Sequence, residues 1–494
     1  MFRLKTLCAL LAGIASLPVH ALETAYLTPS AAGVEFTPIM NVGDAAGRYP
    51  FVGVPDGLGT FDNGNGSFTV LINHELRTDK GIARDHGSQG AFVSRWVINK
   101  ADLRVLYGMD LVNKPENVLT WNTASADWVA GTTSIGRLCS ADLPRASAFK
   151  YGPLGYNGRI FMNGEENSDE GRAFAWIATG EEAGKVYELP YLGKFNWENS
   201  VASPFAQEKT IVMGQDDDGS TDSGQYVYVG TKQATGNAVE RAGLHNGKLY
   251  GIKVGLSSTV PLIEDANTAF GAGKTRWSFT MVDLGDVSAR TGAQLEADSL
   301  ASGVSMFRRV EDGAWDTKNA RRFYFVTTAD MTTKSRLWRM TFKDITNPEQ
   351  GGTIELLLDG GDGVNEVRMM DNLTVDGDGH VIIQEDPGNN AYLAKVWKYD
   401  PASRSLTQLA EHDAARFGDA SEGTVSDYHT QDEESSGVVE VTNLFNNVDG
   451  YDTLNNRYYL LVTQAHAALH PDWSADQITE LVEGGQLMLM KVAK

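Results

Sequence analysis

The chain has 494 residues, with 64 acidic and 42 basic side chains, a formal net charge of −22 and two cysteines. So acidic a chain lacks the positive surface that nucleic acids and anionic membranes require, and two cysteines cannot build a disulfide framework. A hydrophobic fraction of 42% marks a folded chain, and 52 glycines suit tight turns between short strands better than long helices.

Residues 1–21 read as a secretory signal peptide. Arg3 and Lys5 precede an apolar run from Leu7 to Leu17, and Val19-His20-Ala21 resembles a cleavage site. The run is too short to span a bilayer. The expected product, 22–494, is one domain exported to the periplasm or the medium, without a membrane span and monomeric. Cleavage removes Cys8 and leaves Cys139 as the only thiol: a buried inert group, an intermolecular partner, a metal ligand or a nucleophile.

Downstream, one unit recurs. A Gly, Asn or Asp turn leads into four to six β-branched, aromatic or aliphatic residues, as within 67–72, 159–162, 209–213, 225–230, 248–254, 322–328, 336–342, 353–358, 380–384, 395–399, 457–463 and 487–492. This pattern predicts an all-β fold with few short helices, one of them within 471–485 and capped by Asp472 or Ser474. Six strands end in a polar or acidic cluster: LINHE (71–75), IFMNGEEN (160–167), IVMGQDDD (211–218), FVTTAD (325–330), IIQED (382–386) and LVTQAH (461–466). A strand unit that repeatedly delivers its end to one place predicts a β-propeller of about six blades with long connecting loops. The competing architectures are a large sandwich or two β domains.

The acidic clusters suit hard cations, because Ca²⁺ takes six to eight oxygen ligands and converging carboxylates need a counter-cation. None has EF-hand spacing. Arg309 and Glu311 fall on one side of an extended segment, which is compatible with a phosphate-binding guanidinium or with a structural ion pair. His74 and His466 each close a strand-end cluster and are candidate ligands or structural histidines. No GxSxG, HExxH, P-loop or dinucleotide motif occurs in the required context.

The segments 72–76, 137–144, 164–167, 192–200, 213–218, 309–312, 371–386 and 462–466, in that order, resemble the PhoX-type alkaline phosphatases, calcium- and iron-dependent propeller phosphatases of bacteria. The resemblance implies a six-bladed propeller with a Ca²⁺ and Fe³⁺ cluster at the channel mouth, acting on a small phosphorylated substrate. By motif it assigns Cys139 as thiolate ligand, Glu166, Glu198 and Glu311 as carboxylate ligands, and Arg309 as the phosphate-binding catalytic residue. Glu75, Glu165, Asp217 and Asp386 become calcium-shell candidates. The chain departs from the family in lacking a twin-arginine export signal, in reading MNG before Glu165, and in carrying Val310 and Asp312 where Pro and Trp are usual. A calcium-binding propeller without catalysis, or a calcium-propeller lactonase or phosphotriesterase, are the alternative functions.

Overall fold

The computed structural model describes residues 22–219, 222–255, 262–264, 275–360, 367–418 and 429–494. The export segment 1–21 lies outside the described residues. The described chain forms a six-bladed β-propeller, as its strand pattern predicts. Blade one consists of Pro55–Asp62, Ser67–His74, Phe92–Asn99 and Val105–Asp110, in chain order from the channel outward. In blade two the innermost position is taken by the short stretch 138–142, which bridges the strand Ile160–Gly164 and the adjoining Glu165 through Asp142–Met162 and Leu138–Glu165. Ala173–Ile177 and Val186–Glu188 follow, and the earlier hairpin Val118–Asn122/Asp127–Ala130 adds outside them through a parallel pairing.

Blades three and four start at Trp197–Ala202 and Val310–Trp315. They share the outer strand Arg276–Gly285, which pairs with Lys248–Val254 of one and Gly352–Asp359 of the other. Blade five begins at Met370–Val375, and its outer edge is covered by the N-terminal strand Leu27–Pro29. Blade six begins at Glu433–Glu440 and is closed by Val34–Asn41 lying antiparallel to the C-terminal strand Gly484–Ala493. Both ends of the described chain therefore clamp the ring. The innermost strands meet around the channel in chain order, and Glu433–Glu440 returns to pack on Pro55–Asp62.

Period-two alternation explains why blades can stack face to face. In Ser67–His74 all eight residues are buried. Val70 and Ile72 join Leu460, Val462 and Leu489 between blades one and six, whereas Leu71 faces Phe161 and Trp176 of blade two. The second strand of every blade repeats this division. Ile160 and Met162 meet Val212 of blade three, Ile211 and Met213 meet Phe323 and Phe325 of blade four, and Tyr324 and Val326 meet Ile383 of blade five. Ile382 then meets Leu461 and Met490 of blade six. Six apolar clusters thus alternate with six blades.

Helices are short. Ala475–Leu481 lies where the sequence predicts one, with Ser474 and Gln477 forming its capping box. Gly292–Ser302 was not foreseen, although Thr291 and Gln294 form a capping box and Gly303 terminates it at φ 77°. No described helix is long and apolar enough to cross a membrane.

Candidate metal centre

The second residue of each innermost strand carries a metal-compatible donor. These are Asp56, Glu198, Glu311, Asp371 and Glu434 in blades one, three, four, five and six, with Cys139 as the second residue of 138–142 in blade two. The backbone that delivers them is unusual. Two positions before the donor, Val54, Arg137, Arg309 and Met369 have φ of 50°, 35°, 60° and 39°. Non-glycine residues in that region cost roughly 1–3 kcal/mol each and collect at functional sites. The pairing register also slips at Pro55/Leu58, Trp197/Asn199, Val310/Gly313 and Met370/Leu373. Such bulges re-aim side chains, here at four of the six donors.

In blade two, a glycine of blade one also makes room for the donor segment. The Gly57 amide donates to the Cys139 carbonyl at 3.2 Å, and a Cβ at Gly57 would lie 2.3 Å from the Ala141 nitrogen. The segment carrying the thiol is therefore wedged between blades one and two.

The donors form three overlapping groups whose ligand atoms lie within 4.8 Å of one another: Asp56, Glu75 and Cys139; Cys139, Glu166 and Glu198; and Glu198, Glu311 and Asp371. Shared members join them into one array. The Cys139 thiol donates to Asp56 Oδ2 at 3.2 Å. Both Glu198 oxygens are buried without a hydrogen-bond partner, with Ser140 and Cys139 alongside but outside bonding geometry, and Asp371 Oδ1 is likewise unpartnered.

Orphaned buried carboxylate oxygens are costly. Burial, reinforced by neighbouring carboxylates, pushes Glu198 up to about 8 and Glu434 up to about 7, and holds Asp56, Glu166, Glu311 and Asp371 well above the ordinary carboxylate range. Burial, with Asp56 and Glu198 beside it, also raises the Cys139 thiol. Burial and mutual repulsion therefore oppose ionisation of Asp56, Glu166, Glu198, Glu311 and Asp371 together. Cations would supply the missing countercharge, and the donor set of carboxylates plus one thiol fits them.

Two arginines stand at the mouth. Arg309 donates from Nε and Nη2 to Asp217 at 2.9 and 2.8 Å, and Nη2 lies 3.1 Å from Glu311. Burial alone would lower its pKa, but Glu311 and Asp217 outweigh that and fix the charge. Arg137 lies 2.6 Å from Glu75 and 2.7 Å from Glu166 through a single Nη2. Cys139, Glu166, Glu198, Glu311 and Glu75 therefore come together in the array, and Asp217 serves Arg309 at its edge. Glu165 points elsewhere, forming a bidentate pair with Arg172 at 2.6 and 2.8 Å. Asp386 lies on the rim and accepts the Gly388 amide at 2.8 Å.

His74 is a structural histidine. It stacks on Phe92 with 4.4 Å between ring centroids, bonds Ser94, and burial lowers it to about 3. His466 sits between Glu483 and Glu434, at 2.8 and 3.4 Å.

The six strand-end clusters are the ends of the second strands, next to the ring of donors. Two residues before the rim group of four of them stands an amide that stitches neighbouring strands. Asn73 donates to the Cys139 carbonyl, Gln215 to that of Glu311, Gln384 to that of Ser436, and Gln464 to the Glu75 carboxylate. Sequence reasoning missed Asp56, Asp371 and Glu434. A signal was present: each donor precedes a small or amide residue (Gly57, Asn372, Ser435), and the same spacing separates Asp56 from Glu75, Glu198 from Asp217 and Glu311 from Asp330.

No protein-family model matches the chain, and no curated protein matches it in sequence. Among solved structures, Pseudomonas fluorescens PhoX in complex with vanadate, a transition state analogue, is similar over 94% of this chain and 97% of that one, with 12% identity and a TM-score of 0.63. Chaetomium thermophilum Sqt1 aligns over 93% and 98% of the two chains with 10% identity and a TM-score of 0.35. The β-propeller domain of the trilobed protease from Pyrococcus furiosus aligns over 84% and 96% with 9% identity and a TM-score of 0.31. The fold is that of a PhoX-like propeller.

Proposed function

We propose that this chain is an exported, metal-dependent phosphomonoesterase whose centre is the donor array at the channel mouth. The observation that carries the reading is the coincidence of that array with a fixed arginine, Arg309, at its edge on a PhoX-like propeller. Asp56, Glu75, Cys139, Glu166, Glu198, Glu311 and Asp371 would hold the cations, and Asp386 would serve only an outer position. Carboxylates suit Ca²⁺, whereas a thiolate in the same array suits a transition metal such as Fe³⁺ better than calcium. Bound cations would supply Lewis-acid polarisation of a phosphoryl group and a water nucleophile at neutral pH.

The remaining work falls to the chain. Asp217 and Glu311 occupy Nε and Nη2 of Arg309, leaving the two Nη1 protons to donate to phosphoryl oxygens as charge builds. The Arg309 side chain is about one-third exposed, which leaves it open to substrate. Burial of the carboxylates excludes competing water from the donor side. No serine or aspartate nucleophile is required.

Hydrolysis of p-nitrophenyl phosphate by the exported protein tests the reading. Turnover should require added metal and disappear in EDTA, Cys139→Ala should lose both activity and bound metal, and Arg309→Gln should lower kcat by roughly 100-fold or more while the fold is kept. Full activity of Cys139→Ala would overturn the reading, and so would a folded, metal-loaded protein without turnover. The thiol in the array favours this reading over a propeller that binds calcium for stability alone.

A further inference from the structure

Beside the donor array the mouth opens into two clefts that share Arg77 and Arg137. One, of about 320 Å³, lies between blades one and six and is lined by Glu75, Arg77, Lys80, Arg137, His466 and Glu483. The other, of about 440 Å³, extends from Arg77 and Arg137 toward Asn196 and Asp218. In the first, Arg137 is matched by Glu75 and His466 by Glu483. Arg77 and Lys80 are exposed, and among the described residues their side chains make no ion pair or side-chain hydrogen bond.

Their loop is nevertheless anchored. The Lys80 amide donates to the Arg77 carbonyl at 2.9 Å, Gly90 to the Lys80 carbonyl at 3.1 Å, and Arg137 to the Leu76 carbonyl at 2.9 Å. Two exposed cations without a side-chain hydrogen bond or ion-pair contact, Arg77 facing the charge of Glu483 and separated from Lys80 by Asp79, are thus held over a cleft that also reaches Glu75 of the donor array, on a chain whose net charge is −22.

We infer that this cleft is a leaving-group subsite, and that the substrate is a phosphomonoester carrying a second anionic group, a carboxylate or another phosphate, which Arg77 and Lys80 receive. The inference rests on the phosphomonoesterase reading and adds the class of substrate. A neutral ester would engage Arg309 and the array but leave the loop unused. An ester with an acidic leaving group engages both, with a gain that depends on ionic strength because both cations are exposed.

The test compares 3-phosphoglycerate with glycerol 3-phosphate, which differ in a carboxylate against a hydroxymethyl group, using the metal-loaded protein. At low salt, kcat/KM should favour 3-phosphoglycerate by roughly three- to tenfold, chiefly through KM, as expected for one or two exposed ion pairs. In 1 M NaCl, where the screening length is about 3 Å, the ratio should fall to near one. In Arg77→Ala/Lys80→Ala it should be near one at every salt concentration. The double variant replaces only exposed side chains without partners, so its fold is expected to persist. Equal kcat/KM for the two esters in the unmodified protein, or a preference that survives the double substitution, overturns the inference and leaves the phosphatase reading standing. Hydrolysis of neither ester overturns both.

Discussion

Replacing Glu198 by glutamine should stabilise the metal-free protein at alkaline pH and weaken the metal-bound one. Glu198 is fully buried, and neither carboxylate oxygen has a hydrogen-bond partner. Burial lifts its pKa from 4.5 to about 8. A carboxyl whose folded pKa exceeds its unfolded value contributes stability in full below about pH 4.5, and loses it as pH rises through 8. The difference corresponds to an ionisation penalty on the order of 5 kcal/mol once the pH exceeds the folded value. Glutamine does not ionise and avoids this penalty. In EDTA at pH 9 the melting temperature of Glu198→Gln should therefore exceed that of the unmodified protein, with the two converging near pH 5. With saturating Ca²⁺ the order should invert, because only the carboxylate gains from a cation and binding to the folded state alone adds stability by linkage. Thermal melting at two pH values, with and without metal, reads all four states. A variant that melts lower in EDTA at pH 9, or an order unchanged by metal, would refute the assignment of Glu198 as a buried cation ligand.

Further substitutions test how the array is built. Gly57→Ala places a methyl group 2.3 Å from the Ala141 nitrogen, so it should push the 138–142 segment out of its wedge and reduce metal content measured by plasma mass spectrometry. Leu71→Ala empties part of the contact between blades one and two and should cost about 2–5 kcal/mol in denaturant unfolding, without changing metal stoichiometry in the protein that remains folded. Glu165→Gln breaks the Arg172 pair but should leave bound metal unaltered, whereas Glu166→Gln should lower it; equal losses would show that both carboxylates face the array.

The six blades were legible from their second strands. Those strands are apolar on both faces and end at a polar or charged cluster, so each carries a local signature such as TVLINHE or TIVMGQDDD. The innermost strands carry no such signature. Four of their six donors sit within bulges, and four follow, two positions on, a residue whose left-handed backbone no residue type announces: Val54 and Met369 look like ordinary strand residues. Asp56, Asp371 and Glu434 acquire meaning only when the ring closes and brings them beside Glu75, Glu311 and His466. Glu165 and Glu166 show the opposite limit. The sequence supplies adjacent acids, but the turn after Gly164 and the position of Arg172 decide which one faces the array. The capping box of Gly292–Ser302 was readable, but it sits in a stretch with a weak apolar stripe.

Asp312, which stands where the phosphatases that the sequence resembles usually carry Trp, has a structural role beside the donors. Asp312 follows the donor Glu311, and alternation turns it away from the array. Its carboxylate accepts the Asn199 side-chain amide and the Gly313 backbone amide, both at 2.6 Å, and the Leu373 backbone amide at 3.0 Å. One side chain thereby ties the innermost strands of blades three, four and five just below the donors. Such a carboxylate fixes the relative positions of Glu198, Glu311 and Asp371, the three members of one ligand group. Val310 beside it is fully buried in the cluster between blades three and four, a position that asks for apolar volume. Both departures therefore alter how the ring is stitched and leave the donor atoms in place, which separates them chemically from a loss of Cys139 or Arg309.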